Sequence, residues 1–583
     1  MKTRRREGGE GAKGSIPVGP GNAVEAGWPG GWVATLLFFG LSLVFFFPAL
    51  LPGRGIFGTD YLVGSYPFWE FIADRFRAGE LPGWVPHVFG GLPVFSTPGS
   101  AFYPVWTLAA LLFPVSLILP VVLVVQFALA GLGTFLLLRE LGVRAWIATL
   151  GGLAYQFTGL TMSYVYAGHD GRIIVATLAP LFLFFLHRLV RTGGLGAFVG
   201  VTATLAASLL SFQVQSNYYL LLAGLAWGIF ALVSHRLRGG VLWARLGLGL
   251  GAVALAFVLN AVNFLPFLDY VDQSPRGGEG RGYAYSTSWS MAPAEITALA
   301  GPEAVGASIQ DPGTGEAPFP AYRGENPFKL HTEYVGAFAL LMLLLGAWYA
   351  RKDRRWWFFA GLGLFALTIA FGGHTPLYRL YYEVLPGTRR FRAPSISFFL
   401  VSMSLVIMAG LALEHLARIR DLADRKRQLE DPLAAGRWIT LGAGVLALVL
   451  IVVGGAAGAD TPGVELGFAR FALFLGASAA VVWLWMIGRL GPKAAAIVLG
   501  LVVVADLWVV GRRFFHTVSA PAEWFRADDV ANALRSQLIG VAPLDPVSFG
   551  STVTLLAIVA CAACAIPARR ASRLDPVRAL RLE

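Results

Sequence analysis

The sequence predicts an all-α polytopic membrane protein, on three grounds. Of the 583 residues, 56% are hydrophobic and only 14% charged, where a soluble globular chain carries about 25% charged residues. The mean hydropathy is +0.64. The apolar residues also fall in runs of roughly 17 to 24, the length of helix that crosses about 30 Å of hydrocarbon. This composition excludes a soluble enzyme, a disordered chain, a disulfide scaffold and a β-barrel, and leaves a bundle of membrane-crossing helices.

The elements follow in order. Residues 1–30 form a basic, Gly-rich tail with Lys2, Arg4, Arg5 and Arg6 at its front. The run Trp32–Leu51 is too long for the apolar part of a signal peptide, and no A-x-A-type cleavage site follows it, so it is the first span. Further runs lie near 116–138, 145–165, 173–187, 196–213, 218–234, 246–264, 334–350, 356–372, 396–413, 438–456, 469–487, 494–511 and 549–567, making about fourteen spans. The shorter stretch 101–113, bounded by Pro104 and Pro114, reads as an interfacial helix. Alternating the spans collects Arg139, Arg144, Arg188, Arg191, Arg236, Arg238, Arg351–Arg355, Arg418–Arg427, Arg489 and Lys493 on one side. The positive-inside rule makes that side cytoplasmic and puts the N-terminus inside. The net charge of +12 therefore sets orientation and does not indicate nucleic acid. Cys561 and Cys564, the two cysteines, sit inside one apolar run and read as small apolar residues rather than half of a metal site.

The other side receives the longer segments 52–115, 265–333, 373–395 and 512–548, which are expected to fold over the helix mouths; long loops in a compact protein are usually functional. Asp60 stands just beyond the first span. A carboxylate there can take a proton from an attacking hydroxyl, or it can cap the turn that follows. His169, Asp170 and Arg172 crowd a very short loop, as a phosphate and proton-relay site or as a hydrated hairpin tip. Gln213, Gln215, Asn217, Tyr218 and Tyr219 form a polar break whose amides and phenols suit sugar hydroxyls but which reads first as interfacial anchoring. Arg379, Arg389, Arg390 and Arg392 make 373–395 basic against the positive-inside bias. Guanidinium groups at headgroup depth suit a phosphate or pyrophosphate, which they bind bidentately, or anionic lipid in general. Arg276 and Glu333 flank the loop 265–333, and an interfacial acid is a functional candidate by default. No P-loop, HExxH, GxSxG or Cys–His ligand pattern is present.

Residues 31–535 resemble the YfhO-type bacterial membrane proteins, of the GT-C class of glycosyltransferases. The resemblance is carried by GTD (58–60), LPGWVPHVFGGLP (81–93), GHDGR (168–172), LPFLDYVDQSPR (265–276), SWSMAPAEITALAGP (288–302), HTEYVG (331–336) and LPGTRRFRAP (385–394). It implies a GT-C-like bundle of about 13 spans in the bacterial cytoplasmic membrane, with its site on the outer face. The implied reaction moves a sugar from a polyprenyl phosphate to a cell-envelope polymer. Asp60 matches the catalytic acid of the first outer loop, and Arg392 the arginine of the FR-x-P pattern. His169, Asp170, Arg172, Arg276, Glu333, Arg389 and Arg390 are the remaining candidates for substrate contact. Asp60 is followed by Tyr61 and Leu62 instead of a second acid, so a divalent metal lacks its paired acidic motif. Residues 536–583, with PARRA…DP…ALR.E at 567–583, resemble the C-terminus of MacB/FtsX-type ABC transporter permeases, and add one permease-like helix. The alternatives are a transport protein or a non-catalytic lipid-handling protein.

The alternation of basic loops makes a direct prediction. A cysteine placed at Tyr285 is labelled by an impermeant reagent from outside the cell, and one at Leu422 only after permeabilisation. The reverse pattern would invert the topology and with it every site assignment.

Overall fold

The computed structural model describes residues 31–86, 90–96, 101–273, 281–425, 440–446 and 463–519, with isolated positions elsewhere. The chain divides into two units, Met1–Pro521 and Ala522–Glu583. Arg276, most of the run 438–456 and the segment 536–583 lie outside the described residues, apart from isolated positions.

The protein is an all-α polytopic membrane protein. Among the described residues eight helices are long and apolar enough to cross a bilayer. They are α1 (Gly31–Leu50), α4 (Val115–Glu140), α7 (Asp170–Thr192), α9 (Val214–Ser234), α10 (Gly239–Leu259), α16 (Phe398–Arg425), α17 (Val464–Met486) and α18 (Pro492–Arg512). Shorter helices fill the other predicted runs that are described: α5 (Ala145–Gln156), α6 (Gly159–Ala167), α8 (Leu195–Leu209), α13 (Ala337–Tyr349) and α14 (Arg354–Ala370). The long loops contain helices of their own. Loop 52–115 holds α2 (Tyr66–Arg77) and α3 (Pro104–Leu112); α3 occupies the stretch read as an interfacial helix. The start of 265–333 is taken up by α11 (Ala261–Gln273), followed by the single turn α12 (Tyr283–Ser286), and 373–395 contains α15 (Pro376–Val384).

Helix α4 is central and packs on α1, α5 and α7. Its approach to α7 depends on Gly133, where a Cβ would fall 2.9 Å from the backbone nitrogen of Leu181. Small residues let helix backbones come this close where hydrocarbon offers no hydrophobic drive.

The predicted span 145–165 is two helices. Helix α5 stops at Gln156, whose amide donates to Phe38 O and Ser42 Oγ, each at 2.7 Å. Helix α6 restarts at Gly159, whose N–H donates to Tyr334 O at 2.8 Å. The reason for the break is the extended segment 331–336, which runs beside it. Thr332 N–H donates to Ser163 Oγ at 3.2 Å. The Tyr334 hydroxyl donates to Asp506 Oδ1 at 2.5 Å, and the N–H of Ala337, opening α13, donates to Asp506 Oδ2 at 2.8 Å. Irregular backbone within a bundle persists only where its polar groups are bonded in this way.

Two further ties secure the loops. Strand β1 (Arg54–Ile56) pairs antiparallel with β4 (Thr517–Ser519), joining the first loop to the segment after α18; β2 (Trp84–Val85) and β3 (Leu92–Pro93) form a separate two-stranded ladder. Buried Glu303 binds Arg470 of α17, with Nη2 to Oε2 at 3.0 Å, and Arg513 just past α18. Burial pushes the Glu303 carboxyl up, but the Arg470 and Arg513 guanidinium groups outweigh it and hold the carboxyl low.

At the opposite end of the bundle the predicted basic groups gather. Arg144 reaches Asp421 at 2.7 Å, Arg418 donates to Glu414 at 2.7 Å and to Gly142 O at 3.1 Å, and Arg191 pairs with Glu140 at 2.7 Å. The basic loops around 139–144, 188–191 and 414–421 thus share one end of the fold.

Candidate functional site

The site grows from the docking of the first loop onto the turn between α6 and α7. Thr59 Oγ1 donates to Ala167 O at 2.9 Å. The next residue, Gly168, closes α6 with φ +79°, and a Cβ on it would lie 2.9 Å from the Asp60 nitrogen and Cβ. Only glycine satisfies both the left-handed backbone and this contact. His169 Nε2 consequently stands 3.5 Å from Asp60 Oδ2. Asp60 opens a π-helical turn, Tyr61–Ser65, yet its side chain makes no capping hydrogen bond. The turn-capping role is therefore not what its carboxylate does. That side chain is 63% exposed, and π-turns occur frequently at functional sites.

Arg172 lies in the first turn of α7, its guanidinium 5.8 Å from the Tyr164 ring and its buried Nε without a hydrogen-bond partner. Neighbouring Gly171 is required by close packing, since a Cβ there would meet Ser211 O at 2.7 Å and Gln213 Cγ at 2.6 Å. The basic run 389–392 arrives from the other side. The Ala393 N–H donates to Ser288 O at 2.9 Å, and Ser395 Oγ donates to Trp289 O at 2.9 Å, so the two loops are stitched together.

Three cavities meet here in series. The first, about 350 Å³, is walled by Arg172, Gln213, Gln215, Arg390 and Arg392 together with apolar Phe212, Phe264 and Phe267. A second, about 190 Å³, is walled by His169, Trp289, Asn326, Phe328 and His331 and reaches Glu295 and Lys329. The two share Arg172, Arg392, Ala393 and Ile396, so both arginines stand on the partition. A third, about 200 Å³ and mostly apolar, shares Phe212, Val214, Phe264 and Phe391 with the first. Among the described residues four non-glycine residues have positive φ, and Phe212, Trp289 and Ala393 are three of them. All three line these cavities, and backbone strain of this kind collects at functional sites.

The electrostatics are organised by burial. Partial desolvation raises the Asp60 carboxyl, with Arg172 opposing it. Burial drives His169 well below its ordinary range, helped by Arg172 and His331, so its imidazole is neutral at pH 7. His331 is depressed likewise, by burial and then Lys329. Lys329 is held by Glu295 and, at 2.7 Å, by Glu333 Oε1. Burial lowers the Lys329 ammonium, but the two carboxylates outweigh it and raise it. Burial raises Glu333 in spite of Lys329, and Glu333 Oε2 is buried without a hydrogen-bond partner.

The predicted residues separate accordingly. Asp60, His169, Arg172 and Arg392 come together, and Arg390 joins them on the wall of the first cavity. Glu333 lies behind the second cavity, through Lys329. Asp170 is the first residue of α7. Arg389 is engaged by Glu383 and lies 5.4 Å from the Tyr382 ring, away from the cavity walls. Gln213 and Gln215, read mainly as anchors, turn out to be cavity wall. Glu295, Lys329, His331 and Trp289 were not singled out. The signal available was only that they fall in or beside SWSMAPAEITALAGP and HTEYVG. Among the described residues no group of three His, Cys, Asp or Glu is arranged to hold a metal ion.

No family model matches the chain, and no curated protein does. The solved structures similar to it include two of ArnT from Cupriavidus metallidurans. The one bound to undecaprenyl phosphate is 17% identical with a TM-score of 0.38, and the apo form is 18% identical with a TM-score of 0.39; each alignment covers 83% of this chain and 77% of that one. A likeness at this level transfers no chemistry.

Gly168→Ala tests the docking. The added methyl, at positive φ and against the Asp60 backbone, is expected to lift the first loop from the α6–α7 turn. Hydrogen exchange at residues 58–62 should rise while α4 and α7 stay protected; unchanged exchange at 58–62 would contradict the close contact.

Proposed function

We propose that this protein is a membrane glycosyltransferase of the GT-C kind, moving a sugar from a polyprenyl phosphate to a hydroxyl of a cell-envelope polymer. In this reading the long loops face outward from the bacterial cytoplasmic membrane and the N-terminus lies inside. The observation that carries it is the pair Arg172 and Arg392, standing between a larger, mostly apolar cavity and a smaller one walled by aromatic and polar groups, with His169 on the smaller cavity's wall and Asp60 beside it. A lipid-linked sugar has this sequence of parts: apolar chain, phosphate, sugar.

The chemistry follows from the placement. The acceptor oxygen bonds to the anomeric carbon as the bond from that carbon to the phosphate oxygen breaks. The electron pair leaves on the lipid phosphate, where Arg172 and Arg392 offset the developing charge. The acceptor's proton passes to Asp60, whose exposed carboxylate is open to an aqueous acceptor and whose raised pKa makes it a better base. Neutral His169, beside Asp60 Oδ2, orients that carboxylate.

Asp60→Asn retains size and hydrogen bonding but cannot accept the proton. Turnover of a polyprenyl phosphate sugar in proteoliposomes is expected to fall by about 10²–10⁴-fold, with donor binding preserved. Because the Asp60 pKa is raised, the wild-type rate should fall with decreasing pH along a limb that lies above the ordinary aspartate value of about 3.9, and the residual rate of Asp60→Asn should lack that limb. Near-normal turnover by the variant would remove Asp60 from the chemistry.

Arg392→Ala is expected to weaken donor binding by about 1.5–3 kcal/mol, the size of a hydrogen bond to a charged group. Arg392→Lys should restore only part, because an ammonium lacks the bidentate fork. Normal binding by both would place the phosphate elsewhere. Mass spectrometry of envelope polymers from cells with and without the gene would identify the transferred sugar.

A further inference from the structure

We infer that the cavity of about 190 Å³ seats the donor's sugar, a single neutral pyranose stacked on the indole of Trp289. The inference rests on the glycosyltransferase reading above and assigns the sugar subsite within it. Three observations support it. The cavity shares Arg172 and Arg392 with its larger neighbour, so a group seated there is joined directly to a phosphate held by those arginines. Its volume of about 190 Å³ leaves room for one sugar ring. Its wall combines aromatic rings with hydrogen-bonding groups, the usual make-up of a surface that binds a ring having one face of C–H groups and an edge of hydroxyls.

Trp289 is the residue the backbone goes out of its way to place. Its φ is +60°, an outlier for a bulky side chain. The turn is held from both sides by the Ser288 and Trp289 carbonyls, which accept from Ala393 N–H and Ser395 Oγ. Phe328 meets the indole edge to face, with centroids 4.8 Å apart at 63°, and so fixes its plane. The hydroxyl partners are Asn326, steadied by donation from Nδ2 to Ser290 O at 3.0 Å, with His331 and Glu295. The Lys329 ammonium in this wall is met by the Glu295 and Glu333 carboxylates, so it needs no anionic group on the sugar. That suits a neutral sugar.

The test uses the full chain in nanodiscs and titration calorimetry. The probes are citronellyl phosphate and its glucose, galactose, mannose and N-acetylglucosamine esters. At least one ester is expected to bind the wild type more tightly than citronellyl phosphate does. Trp289→Gly, which removes the ring and suits the positive φ, should erase that increment, a loss of about three- to tenfold, and leave citronellyl phosphate binding unchanged. Trp289→Phe should keep part of the increment. If Trp289→Gly loses both ligands, Phe328→Ala decides: it spares the strained turn and must still reduce the increment alone. An increment that survives both variants, or no increment for any ester in the wild type, overturns the sugar subsite while the phosphate site stands. Failure of citronellyl phosphate itself to bind, or equal binding by Arg392→Ala, overturns the glycosyltransferase reading instead.

Discussion

The structure depends on one constraint: the extended segment 331–336 lies inside a helix bundle, and its backbone polar groups have to be bonded there. Gly159 and Ser163 bond its backbone on one side; on the other, Asp506 accepts from the Tyr334 hydroxyl and from the N–H of Ala337 just beyond the segment. Meeting that requirement divides one apolar run into α5 and α6. It also sets where α6 ends, and therefore where the turn at Gly168 receives the first loop. The same segment carries His331 and Glu333 and follows directly on Lys329, so a single insertion places the second cavity's polar wall beside the loop that carries Asp60. An unbonded N–H or C=O in this position would cost about 1–3 kcal/mol, which explains why the segment engages groups from two helices.

Charge is distributed with similar economy. Arg470 and Arg513 converge on Glu303, and Arg379 and Arg389 on Glu383. Among the described residues neither Arg172 nor Arg392 has a carboxylate within ion-pair distance. A cation left without an internal partner beside a cavity is suited to an external anion, whereas the paired arginines fasten loops. Buried pairs such as Glu303 with its two arginines become strongly destabilising when one partner is removed, so they commit the loops to one arrangement. The partition between the cavities inherits its position from that arrangement.

Strain marks the same region. Phe212, Trp289 and Ala393 each adopt a backbone conformation that side-chain-bearing residues avoid. They come from three separate loops and meet at the cavities. Each is held by hydrogen bonds or packing from another loop, as Ala393 is by Ser288, so the strain is maintained by tertiary contacts that no one loop makes alone.

How much of this was legible beforehand follows from the range of each interaction. The sequence by itself determined the all-α membrane class and the positions of the long apolar helices among the described residues, because run length and the exclusion of charge act locally along the chain. It also marked Asp60, Arg172 and Arg392, since an acid or arginine at the end of an apolar run is conspicuous wherever the run is docked. Only the tertiary structure decided that Asp60 meets His169 while Arg389 turns away to Glu383, that Lys329 is buried between two carboxylates, and that Trp289 faces a cavity. The docking of the Asp60 loop, the Lys329–Glu295 pair and the placing of Trp289 depend on contacts between residues 34 to more than 100 positions apart, and local hydropathy and spacing carry no record of which distant group a side chain will meet. The break at Gly159 is the plainest case: its run reads as one span, and a carbonyl 175 residues away divides it.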